Sequence, residues 1–451
     1  MSICERLAVA LTGSHTYVGF GFGAIQAGLF LFEAFHGGAF GRLVAADVVP
    51  EVVGAMRLSG GRYSVNVAHA DHLEACEVGP VEMEDLAVPA DRQRVVAAVA
   101  AAQEIGTAVP DVQCYVADGP GSLHRVLAQG LRRKAASDGP RAVVYTAENH
   151  NHAAERLESR VMDAVPEAER PAVRSRVRFL NTVVGKMSGV VDADDVKAGG
   201  LSAVTPGDRR AFLVEAFNRI LISRICFEAS AGRPAFRRGI AVFEEKADLL
   251  PFEEAKLYGH NATHALAAYV GMMLGAGRIA DLPGVPGLMT FVRDAFLEES
   301  GTALIARHGG IDPLFTLEGY RRYADDLLAR MTNPFLGDTV ARVGRQPERK
   351  LAWDDRLIGT VRLALSQGVV PRRYAFGAAA ALAALHPTIL KPEGTATGVL
   401  GSLWGDSVPA GRETDAVLRE VEAGLRQLRG WQAAGCPPVD DFMWQHEPGC
   451  G

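Results

Sequence analysis

The sequence lacks paired cysteines, a membrane-length apolar run and any excess of positive charge, and each absence narrows what it can be. Its 451 residues include six cysteines, Cys4, Cys76, Cys114, Cys226, Cys436 and Cys450. None belongs to a Cys-x-x-Cys pair and their spacing is irregular, so reduced thiols are expected rather than a disulfide frame. Only Cys436 and Cys450, close together in the tail, suggest a bridge. No apolar stretch reaches the roughly 20 residues of a membrane helix before glycine, proline or charge interrupts it. The first residues, Met1 to Arg6, carry no basic region leading into an apolar core, so no export signal is read and a cytoplasmic location is expected. A net charge of −6 gives no reason to expect nucleic acid or an anionic membrane as partner. Internal repeats and low-complexity runs are absent as well.

What is present is an ordinary globular composition, 48% hydrophobic and 22% charged, in a chain long enough for two domains. The first half alternates strand-like and helix-like segments. His15 to Phe20, Arg42 to Ala46, Val112 to Val116 and Arg141 to Thr146 read as extended. Ala24 to Phe35, Gln93 to Gln103 and Leu123 to Lys134 read as helices. Such alternation predicts a mostly parallel sheet covered by helices. Beyond Gly199 helical periodicity dominates, over Asp208 to Phe227, Glu253 to Leu274, Leu288 to Arg307, Leu317 to Met331, Asp355 to Gln367, Ala375 to Leu385 and Glu413 to Arg429. The stretch from Gly435 onward reads as irregular. The expected fold is therefore an α/β Rossmann-type N-terminal domain over residues 1–200 and a mostly α-helical domain over 201–451. The breakers near 195–210 mark the boundary.

After the first strand comes Gly21-Phe22-Gly23-Ala24-Ile25-Gln26-Ala27-Gly28, which opens a helix. That is the context a dinucleotide loop needs: one glycine for the turn, one for close approach of a pyrophosphate, and a helix N-terminus to meet its charge. The third glycine is late, so the loop alone is also compatible with packing glycines at a helix–strand crossing. Asp47, at the end of the next strand, stands where a ribose-binding carboxylate belongs and disfavours a 2′-phosphate, which predicts NAD over NADP. Arg42 lies at the wrong end of that strand to hold such a phosphate.

A second group lies at Glu253-Glu-Ala-Lys256-Leu-Tyr-Gly-His-Asn261-Ala-Thr-His264. Asn261 and His264, three apart, share a helical face, and Lys256 lies just before them on the first turn or the entering loop. Removing hydride from a secondary alcohol needs a base for the hydroxyl proton and donors for the oxygen. A desolvated lysine, an amide and an imidazole supply these. By spacing alone the same residues also fit a surface lysine, a capping asparagine and a core histidine.

Taken together these segments resemble the polyol-specific long-chain dehydrogenases, the mannitol dehydrogenase family. The Lys-x4-Asn-x2-His pattern carries the likeness, joined in order by the glycine loop, by Thr146-Ala-Glu148-Asn149, by Asn181-Thr-Val-Val-Gly-Lys186, and by Asn333 to Leu351 with its Arg342, Arg345, Arg349 and Lys350. The last block is similar to that of the sugar-phosphate branch. The resemblance implies Lys256 as general base, Asn261 and Asn181 as clamps on the reacting oxygen, His264 on substrate hydroxyls, and Glu253 as a proton relay. It further implies that Gly21, Phe22, Gly23, Ala24, Ile25 and Asp47 hold NAD, with Glu148 and Asn149 near the nicotinamide, and that no metal takes part. The family's Asp-Arg is here Gly185-Lys186, the Asp of its arginine block is Gln346, and His150 and His152 replace small residues.

Arginine forks suit phosphate, so Arg342, Arg345, Arg349 and Lys350 are expected to bind a phosphorylated substrate end, of the mannitol 1-phosphate and fructose 6-phosphate type. A solvated basic face paired with Glu348, Asp354 and Asp355 is the alternative. A free polyol, hexuronate or cyclitol dehydrogenase, or an NAD-binding regulator without catalysis, are the rival functions. A monomer or homodimer is expected.

Overall fold

The computed structural model of the chain describes residues 11, 13–228 and 235–445. It divides into two compact units, Met1–Leu250 and Pro251–Gly451.

The first unit is built on two sheets. Its strands are β1 (His15–Phe20), β2 (Phe40–Asp47), β3 (Tyr63–Ala68), β4 (Leu73–Val78), β5 (Glu82–Asp85), β6 (Glu104–Thr107), β7 (Ala142–Thr146), β8 (Val177–Val184), β9 (Ser188–Val191), β10 (Ala211–Glu215), β11 (Ile220–Ser223) and β12 (Phe243–Lys246). Among the described residues the larger sheet runs β12-β11-β8-β7-β6-β1-β2-β5 and the smaller β4-β3-β10-β9. Neighbours from β5 to β8 are parallel, because helices such as Pro89–Ala101, Leu123–Ala136 and Ala153–Asp163 carry the chain back between strands. The central strands β1, β6 and β7 are covered on both faces, and β7, Ala-Val-Val-Tyr-Thr, is accordingly a near-continuous apolar run. One core, with Phe30, Tyr145 and Phe243, fills the space on one face of the larger sheet and reaches the smaller sheet through Tyr63 and Phe212. The other face packs on Val95, Val99, Leu127 and Leu131.

Four expectations about these elements are corrected. Asp208 to Phe227 is not helical but forms β10 and β11, whose Phe212, Val214, Ile220 and Ile222 alternate into the core with a period of two that the helical reading overlooked. These strands complete the sheets, so the compact units part at Leu250/Pro251 and not near residue 200. Val112 to Tyr115 is a 3₁₀ turn, since the Asp111 side chain accepts from the Gln113 N–H and closes it. Past Gly435 the chain is helical again over Val439–Gln445.

Cys114, Cys226 and Cys436 carry free thiols. Cys76 is disulfide-bonded, against the expectation of reduced thiols, and Cys436 is free, against the suggested bridge to Cys450, because sequence spacing does not report proximity in space. Cys4 and Cys450 lie outside the described residues.

The second unit is helical. Ala262–Met273 is its central helix, packed among Arg356–Ser366, Arg372–Leu385 and Leu288–Asp294. Buried hydroxyls tie it down: Thr263 and Tyr374 share a 2.6 Å hydrogen bond, and Tyr374 also meets Ser300. The long helix Arg412–Ala433 lies against Arg372–Leu385 at Gly424, where a Cβ would meet the Ala375 carbonyl at 2.5 Å.

Gly28 offers a test of the packing in the first unit. A Cβ there would lie 2.4 Å from Cγ1 of the buried Val214. Gly28→Ala is expected to lower stability by about 1–3 kcal/mol through overpacking. The cost should shrink in a Val214→Ala background, and urea unfolding of the four proteins measures it. An equal cost in both backgrounds would contradict the contact.

Candidate active site

In the second unit, Lys256, Asn261 and His264 lie on one continuous helical run whose first part is wider than an α-helix. Ala255–Asn261 is π-helical and passes directly into the α-helix Ala262–Met273. In a π turn the hydrogen bonds run between residues five apart, so residues i and i+5 stack. That spacing is the one from Lys256 to Asn261, while Asn261 to His264 is an α-helical i,i+3 step. The change of helix type therefore brings all three onto one side. It also replaces the sequence-based placement of Lys256 on a first turn or entering loop.

The wide turn is held open by its neighbours. A Cβ on Gly359 would sit 2.4 Å from the Tyr258 ring, so only glycine lets the helix Arg356–Ser366 come this close. Thr360 on the same helix donates to the Tyr258 carbonyl at 3.0 Å. Gly259 leaves room for the Tyr320 hydroxyl, which would be 2.6 Å from a Cβ. Docking of this helix brings its first residue, Arg356, to the Lys256 amine. Asp355 holds Arg356 there, capping the helix through the backbone N–H and pairing with Nε at 2.8 Å.

The electrostatics follow from that arrangement. Lys256 is partly exposed, yet desolvation and then Arg356 lower its pKa to about 8, with Glu253 pulling the other way. His264 falls to about 4 through burial, Arg342, Arg356 and Lys350, so it is neutral at physiological pH, and its Nε2 is a buried atom without a hydrogen-bond partner. Glu253 faces Lys256, whereas the adjacent Glu254 is consumed by His308 at 2.7 Å and Arg307 at 3.2 Å.

The basic block splits. Its first part is pinned beside the helix Ala262–Met273: Tyr269 donates to the Gly344 carbonyl at 2.9 Å, Ile279 N–H donates to the Asp338 carbonyl and Val340 N–H to the Gly277 carbonyl. Arg342 pairs with the buried Asp338, and buried Lys350 donates to the Arg345 carbonyl. Both cations act on His264, and Lys350 is itself lowered to about 8 by burial and Arg356. Arg345 and Arg349 are exposed, with Arg349 near Asp355 at 3.5 Å. Arg356 was not singled out from sequence. Its signal was slight, one more basic residue six places beyond Lys350.

The first unit contains the glycine loop at the C-terminal end of β1. Gly21 has φ +84°, and a Cβ there would strike the Ala108 carbonyl at 2.6 Å. Gly23 has nothing within 4 Å of a Cβ position, so its backbone is open to an approaching group, while Gly28 takes the packing role against Val214. Phe22 turns inward, with its ring edge-on to Tyr63 and Phe212, and Ala24 and Ile25 also pack on the core. Only backbone of these three remains to face a ligand. Asp47 Oδ1 accepts the Val48 and Val49 N–H groups at 2.7 and 3.0 Å, which fixes the carboxylate at the strand end. Arg42 is engaged by Glu82 through two bonds.

Glu148 is buried and both its oxygens are occupied, by Val109 N–H, by Thr107 and by the Tyr115 hydroxyl. It therefore shapes the loop after β6. Asn149 is exposed on the following turn, where His152 N–H donates to His150 Nδ1. Asn181 accepts from Ala154 N–H and donates to Glu155, holding the start of the helix Ala153–Asp163. Lys186, at the family's Arg position, is buried and donates to Asn218 at 2.6 Å. Burial lowers it to about 8 against the pull of Glu33 and Glu215.

Comparison with known proteins bears on both units. Residues 15–235 match the Mannitol dehydrogenase Rossmann domain and residues 248–388 the Mannitol dehydrogenase C-terminal domain. The chain belongs to the mannitol dehydrogenase family. A mannitol-1-phosphate 5-dehydrogenase of Bacillus licheniformis is 31% identical over 343 residues, 75% of this chain and 80% of that protein. Two solved structures share the family's fold at 16% identity. The substrate-free crystal structure of a D-sorbitol dehydrogenase gives a TM-score of 0.70 over 93% of each chain. Pseudomonas fluorescens mannitol 2-dehydrogenase, in a ternary complex with NAD and D-mannitol, gives 0.67 over 98% of this chain and 96% of that one. No helix among the described residues is long and apolar enough to cross a membrane.

The buried histidines make a stability prediction. His260 is held well below 6.5 by burial, by Arg330 and by the other nearby cations, and its Nδ1 has no partner. Because the unfolded chain takes up these protons first, stability should fall as pH drops from 6.5 toward 4. Changing His260→Leu should flatten that slope, as read by urea midpoints at pH 7, 6 and 5. An unchanged slope would show that His260 is not a source of it.

Proposed function

We propose that this protein is an NAD-dependent dehydrogenase that oxidises a secondary hydroxyl of a polyol phosphate to the ketone, with Lys256 as general base. The observation that carries the reading is the lowered amine of Lys256, on the same helical run as Asn261 and His264. An amine near pH 8 is matched to accepting an alcohol proton in the physiological range. Lys256 takes the alcohol proton, and the nicotinamide of bound NAD would accept the hydride from the carbinol carbon. NAD supplies the oxidising power. Asn261 donates to the developing oxyanion, and the neutral His264 presents its unpartnered Nε2 to a substrate hydroxyl. Burial and then Arg356 hold the Lys256 amine low enough to give up and take a proton near pH 8, and Glu253 accepts the proton onward.

In the first unit, Gly21 and Gly23 are assigned to the pyrophosphate and Asp47 to the ribose, with Ala24 and Ile25 contributing the helix start. Glu148 and Asn149 shape the nicotinamide end, and Asn181 holds the neighbouring helix. NAD is favoured over NADP because Asp47 repels a 2′-phosphate and Arg42 is already paired with Glu82. Arg342 and Lys350 are assigned to the substrate phosphate, with Arg345 and Arg349 outside them. The 31% identity to a mannitol-1-phosphate enzyme supports this. The structural neighbours named for sorbitol and mannitol support a second reading, in which the substrate is a free polyol.

Three outcomes follow. Lys256→Ala should lose at least about 100-fold in kcat while binding NAD unchanged by fluorescence titration. Retained turnover would remove the base assignment. Alcohol oxidation should rise with pH through about 8, because only the neutral amine accepts a proton. Arg356→Gln should move that midpoint up and Glu253→Gln should move it down. A midpoint indifferent to both would refute the electrostatic account. With NAD, D-mannitol 1-phosphate should exceed D-mannitol in kcat/KM, and Arg342→Ala should raise KM for the phosphorylated substrate alone. Equal use of both substrates would favour the free-polyol reading.

A further inference from the structure

The hairpin β3–β4 ends in a group of side chains that takes no part in the chemistry above. Ala68 pairs with Leu73, and His69 N–H donates to the His72 carbonyl at 2.9 Å, so Ala70 and Asp71 form the tip. His69 and His72 are then direct cross-strand neighbours, and Glu74 projects to the same face as His72, two residues along its strand. On this face Val65, Val67, Cys76 and Val78 are buried in the core. Toward the tip the apolar residues give way to these three.

The geometry is that of a ligand set. One ligand atom each from His69, His72 and Glu74 lies within 4.8 Å of the others. The imidazoles stack with centroids 4.3 Å apart and planes 2° from parallel, so a rotation of the exposed His72 ring is what aims both lone pairs at one ion. His69 Nε2 lies 3.0 Å from Glu74 Oε2. His72 Nδ1 meets Asp71 Oδ1 at 2.7 Å, the carboxylate–histidine contact that fixes the tautomer and leaves Nε2 with its lone pair outward. Glu74 and His69 are 10% and 20% exposed and His72 is 55% exposed, so two ligands are shielded and one side is open for an ion to arrive.

We propose that His69, His72 and Glu74 bind one divalent transition-metal ion, with water in the remaining positions. Two imidazoles and one carboxylate suit Zn²⁺, Ni²⁺ or Cu²⁺ and not Mg²⁺ or Ca²⁺, which prefer all-oxygen sets. Binding takes the place of the His69–Glu74 hydrogen bond, and the ion joins the two strands across the turn. The site is separate from the hydride chemistry, since it lies on the edge pair of the smaller sheet and none of its residues is among those assigned above.

Zn²⁺ alone is the probe, titrated calorimetrically into untagged, chelator-stripped full-length protein. One saturable equivalent is expected, weakened at least about tenfold by His72→Ala and by Glu74→Gln. Zn²⁺ should raise the melting temperature of the parent protein and not of His72→Ala, while Mg²⁺ does neither. His72 is exposed, so its removal leaves the hairpin folded, which equal melting temperatures without metal verify. Absence of saturable Zn²⁺ uptake, or uptake that His72→Ala and Glu74→Gln leave unchanged, would overturn the proposal.

Discussion

Everything in the candidate site of the second unit depends on one close contact, the Tyr258 ring against the backbone of Gly359. It exists because position 359 has no side chain, and it brings the helix Arg356–Ser366 onto the π turn Ala255–Asn261. A π turn leaves its backbone bonds poorly arranged and is seldom stable alone. Here Thr360 satisfies the Tyr258 carbonyl, so the neighbouring helix both shapes the turn and supplies what it lacks. The same contact fixes where Arg356 lies. Local helix type, the alignment of Lys256 with Asn261, and the lowered Lys256 amine are thus consequences of one packing choice.

The sequence shows the residues of this site but not the device that aligns them. Lys256, Asn261 and His264 stand out by type and spacing, and the i,i+3 step from Asn261 to His264 is readable from α-helical periodicity. The i,i+5 step from Lys256 is not, because nothing local distinguishes a π turn from an α turn; tertiary contact at Gly359 decides it. Arg356 escapes for the same reason, since its role comes from a helix packed against the site from about a hundred residues away. In the first unit, β1 and β7 are legible as strands and the β1–glycine loop–β2 pattern is visible at once, whereas β6, Glu-Ile-Gly-Thr, has too few apolar residues to announce itself. The strands β10 and β11 are missed because short apolar strands separated by charged residues imitate helical periodicity.

The first unit also shows how a polar residue near a ligand loop is spent on the scaffold. Glu148 looks like a ligand-facing carboxylate at a strand end, yet its oxygens are occupied by Val109, Thr107 and Tyr115. Asn181 likewise uses its amide on the backbone of Ala154 and on Glu155. Such residues fix loop geometry and keep buried polar groups paired. Their presence in a family pattern is then compatible with a positioning role as much as with direct contact. Glu148 has little left to offer a cofactor, whereas Asp47 Oδ2 takes no part in the bonds that anchor its carboxylate.

The charge pattern around His264 argues for an anionic ligand. Arg342, Arg356 and Lys350 all push the imidazole toward neutrality, and Arg356 acts on both lysines. Assembling like charges in a partly desolvated region is unfavourable, and acidic partners relieve only part of it: Asp338 pairs with Arg342, and Asp355 holds Arg356. The Lys350 ammonium meets a backbone carbonyl, and Asp355 offsets only part of its burial and of the cations around it, so its pKa falls. A bound phosphate would restore the balance, raising Lys350 toward its ordinary value. A neutral polyol would leave the repulsion in place. This charge pattern is a ground for the phosphorylated substrate proposed above that is separate from the likeness to any relative.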